Sequence, residues 1–220
     1  MPESEVQRNS RQKVLINFIL DRSGSMEIVR DETIHGFNKY LEEIRKENAV
    51  DYLLSLTLFG GPDCIHKHVA APLEKVDPLS RESYRPQGFT PLYDAIGATI
   101  AKVDAEKPQV DKVLTVILTD GHENSSREYN LAHIKALIDG KEKQGNWTFV
   151  FLGATPDAWD IGVTIGVPAG NVYQHDPAQT PAVYASLASS TSAYSRSADL
   201  KSMRFVDPKR RGSWIRGRKQ

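Results

Sequence analysis

Val14-Leu15-Ile16-Asn17-Phe18-Ile19-Leu20-Asp21-Arg22-Ser23-Gly24-Ser25 joins a run that is apolar except for Asn17 to a carboxylate and two hydroxyls. A continuous run rich in β-branched and aromatic residues is what a parallel strand buried on both faces requires. Asp21, Ser23 and Ser25 therefore stand where a core strand ends, which is where open α/β sheets place their ligands. Carboxylate and hydroxyl oxygens are hard donors, matched to Mg²⁺, Mn²⁺ or Ca²⁺ rather than to zinc.

Two further segments repeat the arrangement. Gly88-Phe89-Thr90-Pro91-Leu92 sets a hydroxyl at a helix start, since proline is favoured at the first helical position. Val113-Leu114-Thr115-Val116-Ile117-Leu118-Thr119-Asp120-Gly121 is a second buried strand that ends in an aspartate. Each piece taken alone has an ordinary reading. Ser23, Ser25 and Thr90 could be helix N-caps, and Asp120-Gly121 a simple turn. Two carboxylates and three hydroxyls on one sheet edge are harder to explain by capping. Two carboxylates ~5 Å apart repel by roughly 3 kcal/mol at an effective dielectric near 20. Without a cation, one of them takes up a proton or the loops splay.

The order Asp-x-Ser-x-Ser, then Thr-Pro, then Thr-Asp-Gly resembles the von Willebrand factor A family. The resemblance covers roughly Val14 to Tyr173, and the fuller strings around these motifs resemble its small stand-alone bacterial and phage members. It implies a Rossmann-like, doubly wound α/β sheet, mainly parallel with one antiparallel edge strand and helices on both faces. It further implies a metal-ion-dependent adhesion site formed by Asp21, Ser23, Ser25, Thr90 and Asp120. In that family the hydroxyls bind the ion directly, the aspartates bind directly or through water, and a Glu or Asp of a protein partner supplies the last oxygen. Stand-alone relatives often act with partner ATPases. The implied function is a divalent-metal-dependent protein-binding module with no catalysis of its own.

The rest of the chain is read from its residues. At 220 residues it suits one domain with tails: an N-terminal arm over 1–13, a domain over 14–200 and a basic tail over 201–220. Lys plus Arg equal Asp plus Glu at 28 each, so no global field draws it to nucleic acid or membrane. The single cysteine, Cys64, excludes an internal disulfide framework and fits a reducing cytoplasm. No apolar stretch approaches the ~20 residues of a membrane span.

Ile28, Ile34, Phe37, Leu41 and Ile44 recur at helical spacing, and Asp51 to Phe59 reads as the next strand. Ile65 to Ala71 alternates as an antiparallel or edge strand does. Leu92, Ile96, Thr99, Ile100 and Val103 form the inward face of a second helix. Ser125-x-x-Glu128 is a capping box for a third helix bearing Leu131, Ile134, Leu137 and Ile138. Trp147 to Leu152 is a strand, Ala154 to Ile161 a short helix, Asn171 to Gln174 a final strand, and Thr180-Pro181 opens the last helix. Strands alternating with amphipathic helices give βαβ units and a mainly parallel sheet.

Several residues carry two readings each. Arg22, Met26, His122 and Glu123 rim the site and shape partner choice, while His122 reads equally well as a solvent-facing loop histidine. Asp94 is either an outer acceptor that orients a water or hydroxyl, or a favourable charge at a helix N-terminus. Cys64, His66 and His68 share one strand face as a soft metal site or, more simply, as a solvated edge. The tail from Lys209 has six basic residues, no acidic ones, and Trp214, and is either a nucleic-acid arm or a solubilising tail. Of the enzyme classes, a metal-dependent hydrolase or phosphatase is the runner-up. A dehalogenase-type phosphatase needs a second aspartate where Ser23 stands, and neither a G-x-S-x-G elbow nor a Walker motif is present.

Overall fold

Burial on both faces makes the β1 run a central strand. β1 (Gln12–Asp21) lies between β2 (Val50–Gly60) and β4 (Lys112–Thr119), parallel to both. The computed structural model describes residues 11–61, 63–106, 108–176, 179–197 and 205. Most of the N-terminal arm, and the basic tail apart from Phe205, lie outside these. Among the described residues the sheet has six strands in the order β3-β2-β1-β4-β5-β6. β3 (Asp63–Pro72) is its antiparallel edge, and β5 (Trp147–Gly153) and β6 (Val172–Gln174) extend the parallel set. This is the doubly wound α/β architecture expected from the sequence.

Alternation along β1 feeds two cores. Val14, Ile16, Phe18 and Leu20 face α1 (Arg30–Arg45) and α5 (Thr180–Arg196). Leu15 and Ile19 face α2 (Leu92–Glu106), α3 (Leu131–Lys143) and α4 (Ala158–Thr164). On the first face, Phe18 meets Phe37 and Tyr40 edge-on at centroid separations of 5.3 and 5.1 Å. Gly36 lets α5 close on α1, because a β-carbon there would fall 2.2 Å from the Tyr184 ring. Lys112, buried at the start of β4, ties the end of α5 to the sheet. Its ammonium donates to the carbonyls of Tyr194, Ser195 and Ser197 at 2.9, 3.0 and 2.6 Å. These are the acceptors a helix end leaves without intrahelical partners. Phe205 is buried against Tyr194, with ring centroids 5.4 Å apart.

Three local expectations change. The first helix starts at Arg30, after a 3₁₀ turn over Gly24–Val29, and that turn points Ile28 into solvent at 84% exposure. The third helix starts at Leu131, capped by the Asn130 side chain, which accepts from His133 N at 3.0 Å; Ser125 and Glu128 lie in the preceding loop. Cys64, His66 and His68 do share a face, but it is half-buried, while Asp63, Ile65 and Lys67 take the solvent side. His66 Nδ1 sits 2.9 Å from Thr57 Oγ1 of β2. Among the described residues no group of three or more His, Cys, Asp or Glu side chains is placed to hold a metal. The soft site is therefore not formed.

β1 is where the strand order reverses: β2 lies to one side of it and β4 to the other. Ligands in such sheets bind in the crevice at that switch point, beyond the carboxyl ends of the strands. Asp21 closes β1, and Asp120 follows β4 directly.

Candidate metal centre

The edge is assembled from three loops. Arg22 N donates to Phe59 O at 2.7 Å, so the chain stays paired with β2 for one residue past Asp21 before it turns. Asp21 is fully buried. Its Oδ1 accepts from Ser23 N at 2.6 Å and its Oδ2 from Thr119 Oγ1 at 2.5 Å. Burial pushes its carboxyl up to about 6, against the pull of those hydrogen bonds, and Asp120 adds a small push in the same direction. Burial raises Asp120 as well, opposed by its bond from Ser25. Among the described residues no cation is one of the groups that set either carboxylate.

The Ser23 hydroxyl is not spent on a helix cap. Ser23 holds the N-cap position of the 3₁₀ turn, yet its side chain makes no capping hydrogen bond. Its Oγ lies 3.2 Å from Ser25 Oγ, and Ser25 Oγ donates to Asp120 Oδ1 at 2.7 Å. Thr90 is buried just before α2. A β-carbon built on Gly121 would lie 3.0 Å from Thr90 Oγ1 and 3.6 Å from Ser25 Oγ, so both hydroxyls converge on that glycine. The five residues singled out in the sequence thus meet at one sheet edge, as a set of oxygen donors around two unneutralised carboxylates. Their chemistry fits a hard divalent cation.

The rim differs from the expected one. Arg22 and Met26 are buried, at 5% and 1% exposure, and so cannot offer themselves to a partner. Arg22 turns inward and Nη1 reaches Arg85 O at 3.5 Å. Glu123 is folded into its own loop, where it accepts from Ser125 N and Ser126 N at 2.8 and 2.7 Å. Asp94 lies in the first turn of α2, where an acidic charge is favourable, and its carboxylate is turned away from the site hydroxyls, accepting from the backbone of Arg127, Glu128 and Tyr129 at 2.7, 2.9 and 2.8 Å. His122 is solvent-facing and meets Asp157 at 2.7 Å. The exposed neighbours of the edge include two apolar side chains, Ile28 and Phe89, at 84% and 68% exposure. Phe89 could have been suspected from its place beside Thr90. Ile28 could not, because its spacing matched the helix.

No protein-family model matches the chain, and no curated protein matches it. Solved structures do. The VWA domain of SpRpn10 aligns over 80% of this chain and 95% of its own, with TM-score 0.52 and 10% identity. The manganese-loaded TRAP protein of Plasmodium vivax aligns over 78% of this chain and 72% of its own, with TM-score 0.58 and 17% identity. Proximal thread matrix protein 1 of the mussel byssus aligns over 80% of this chain, with TM-score 0.59 and 14% identity; the chain covers 45% of that protein's length. The fold is that of a von Willebrand factor A domain. Among the described residues no helix is long and apolar enough to cross a membrane.

Proposed function

We propose that this chain is a divalent-cation-dependent protein-binding module and not an enzyme. Ser23, Ser25 and Thr90 would hold the ion through their hydroxyls, and Asp21 and Asp120 through carboxylate oxygens directly or by way of water. The observation that carries the reading is the meeting of the Ser23, Ser25 and Thr90 hydroxyls with two carboxylates that no cation among the described residues neutralises. The bound ion would supply Lewis acidity toward an acidic side chain of a protein partner. The protein's part is to hold the oxygens in place and to keep Asp21 dry. The manganese-loaded TRAP structure supports a metal on this fold. Mg²⁺ is the first candidate, with Mn²⁺ and Ca²⁺ as alternatives, because each favours oxygen donors.

Calorimetric titration of Mg²⁺ and Mn²⁺ into EDTA-stripped, desalted protein should give one saturable site. Ser25→Ala should weaken it at least tenfold by removing both a donor oxygen and the hydrogen bond that steers Asp120. Wild-type protein that takes up none of Mg²⁺, Mn²⁺ and Ca²⁺ would end the reading.

The non-enzymatic half has its own test. The Ser23 and Ser25 hydroxyls bond to each other and Ser25 to Asp120, and among the described residues no histidine or lysine base is their partner. Nucleophilic catalysis requires such a base or an otherwise activated nucleophile. Assays of phosphoester, nucleotide and acyl-ester cleavage with Mg²⁺ or Mn²⁺ should show no turnover. A rate that survives repurification and disappears in both Asp21→Ala and Asp120→Ala would instead establish a metal-dependent hydrolase.

A further inference from the structure

The loops bearing Thr90 and Asp120 are laced together by side chains outside the proposed ligand set. Asn124 Oδ1 accepts from Thr90 N at 2.8 Å, and Asn124 N donates back to Thr90 O at 3.2 Å. The backbone of Thr90 is thus gripped on both sides by one residue. Asn124 is held in turn by its neighbours. Glu123, besides its bonds to Ser125 N and Ser126 N, accepts from Tyr93 N at 2.9 Å and from Ser126 Oγ at 2.6 Å. Ser126 Oγ accepts from Asp94 N at 3.0 Å. The three bonds to the Asp94 carboxylate then fix the loop beyond Ser126. Every one of these contacts joins the segment after Asp120 to Thr90 or the first turn of α2, or tightens that segment on itself.

We propose that Asn124 is a positioning residue for the metal centre, fixing the Thr90 hydroxyl against Asp120, with Glu123 holding Asn124 in place. This rests on Thr90 and Asp120 being ion ligands. Thr90 is β-branched and stiff at χ1, so once its backbone is clamped its hydroxyl has few places to go. Gly121 leaves open the one it occupies, since a β-carbon there would crowd Thr90 Oγ1 at 3.0 Å. Ligands and their hydrogen-bonded supports behave as a unit, and loss of a support typically costs 10–100-fold in metal affinity. The clamp also accounts for Glu123 and Asp94 facing inward: their carboxylates serve backbone N–H groups and are not offered to a partner.

The test is Mg²⁺ affinity, measured by calorimetry well below the melting temperature, so that stability does not enter. Asn124→Ala removes the acceptor for Thr90 N and should weaken Mg²⁺ by about 10–100-fold. Asn124→Asp keeps an acceptor oxygen in the same place and should restore at least wild-type affinity. Glu123→Gln puts an amide donor among backbone N–H groups and should weaken Mg²⁺ in the same direction. A residue that merely supports the loop would lower the melting temperature in EDTA and leave the dissociation constant of the folded protein alone. Affinities within twofold of wild type in Asn124→Ala and Glu123→Gln, or no rescue by Asn124→Asp, would overturn the positioning role while leaving the ion site intact. A wild-type protein that binds no Mg²⁺ overturns both.

Discussion

In EDTA at pH 8, Asp21→Asn should melt about 6–12 °C above the wild type, and in saturating Mg²⁺ that difference should shrink or reverse. Asp21 is buried with no cationic partner among the described residues, and burial raises its carboxyl from 3.8 to about 6. Between those values the folded state binds more protons than the unfolded state. Wild-type stability should therefore fall as pH rises through this window and stay low above it. The cost at pH 8 is roughly 3 kcal/mol, from 1.36 kcal/mol per unit. For a chain of this size, at 2–4 °C per kcal/mol, that corresponds to about 6–12 °C. Asn keeps the shape and an acceptor for Ser23 N, and the Thr119 hydroxyl can turn to accept from the new amide. Near pH 4 the wild-type carboxyl is protonated in the folded state, and the two proteins should melt together.

Metal narrows or inverts the comparison. An ion at a hundred times its dissociation constant stabilises the wild type by ~2.7 kcal/mol. Asp21→Asn should gain less, because it has lost the charge that favours the ion. Ser23→Ala should lose the metal gain with no benefit in EDTA, since no charge is removed. Melts of the three proteins across pH, with and without millimolar Mg²⁺, decide it. An Asp21→Asn protein no more stable than wild type at pH 8 in EDTA would show that the buried carboxylate is not strained. An undiminished response to Mg²⁺ would show that Asp21 does not serve the ion.

What could be read from the sequence, and what could not, divides along the range of the interactions. β1 and β4 were legible because a strand buried on both faces has to be apolar throughout, whatever packs on it. The five candidate residues could be picked out because each ends or follows such a strand or stands just before a helix. Side-chain directions beyond the strand ends were not. Arg22 and Met26 follow Asp21 where the period of 2 has ended and the period of 3.6 has not begun, so nothing local records that both turn inward. Ile28 fits the helical period of the residues after it, but a 3₁₀ turn advances by 3.0 residues and faces it outward. The capping box at Ser125 failed for a different reason. The backbone donors that follow it are taken by Asp94, more than thirty residues earlier in the chain. Asn130 immediately before Leu131 was the local signal for the true helix start.

Gly88→Ala should lower the melting temperature by roughly 6–12 °C and weaken Mg²⁺ binding, because two independent costs meet at that residue. Gly88 has φ +71°, a left-handed conformation that costs an L-residue about 1–2 kcal/mol. Its missing β-carbon would also lie 2.4 Å from Gly61 Cα and 2.8 Å from Gly61 N, and backbone atoms cannot rotate aside as a side chain can. Overpacking of this kind typically costs a further 1–3 kcal/mol. Together they give about 3 kcal/mol, at 2–4 °C each. The damage falls on the site because Gly88 lies where three loops cross. Gly24 N donates to Gly88 O at 3.0 Å, Gly61 N to Phe89 O at 2.9 Å, and Gln87 N to Arg22 O at 2.7 Å. Relieving the clash must move Thr90, two residues on, or the loop that carries Ser23 and Ser25. Gly145 supplies the control. Its φ is +84°, but a β-carbon there would meet nothing within 4 Å. Gly145→Ala should lose only the backbone share, about 1–2 kcal/mol, and bind Mg²⁺ as the wild type does. If the two variants melt alike and bind the ion alike, the three loops are not packed as closely as the fold places them, and the rigidity argued for the site fails with them.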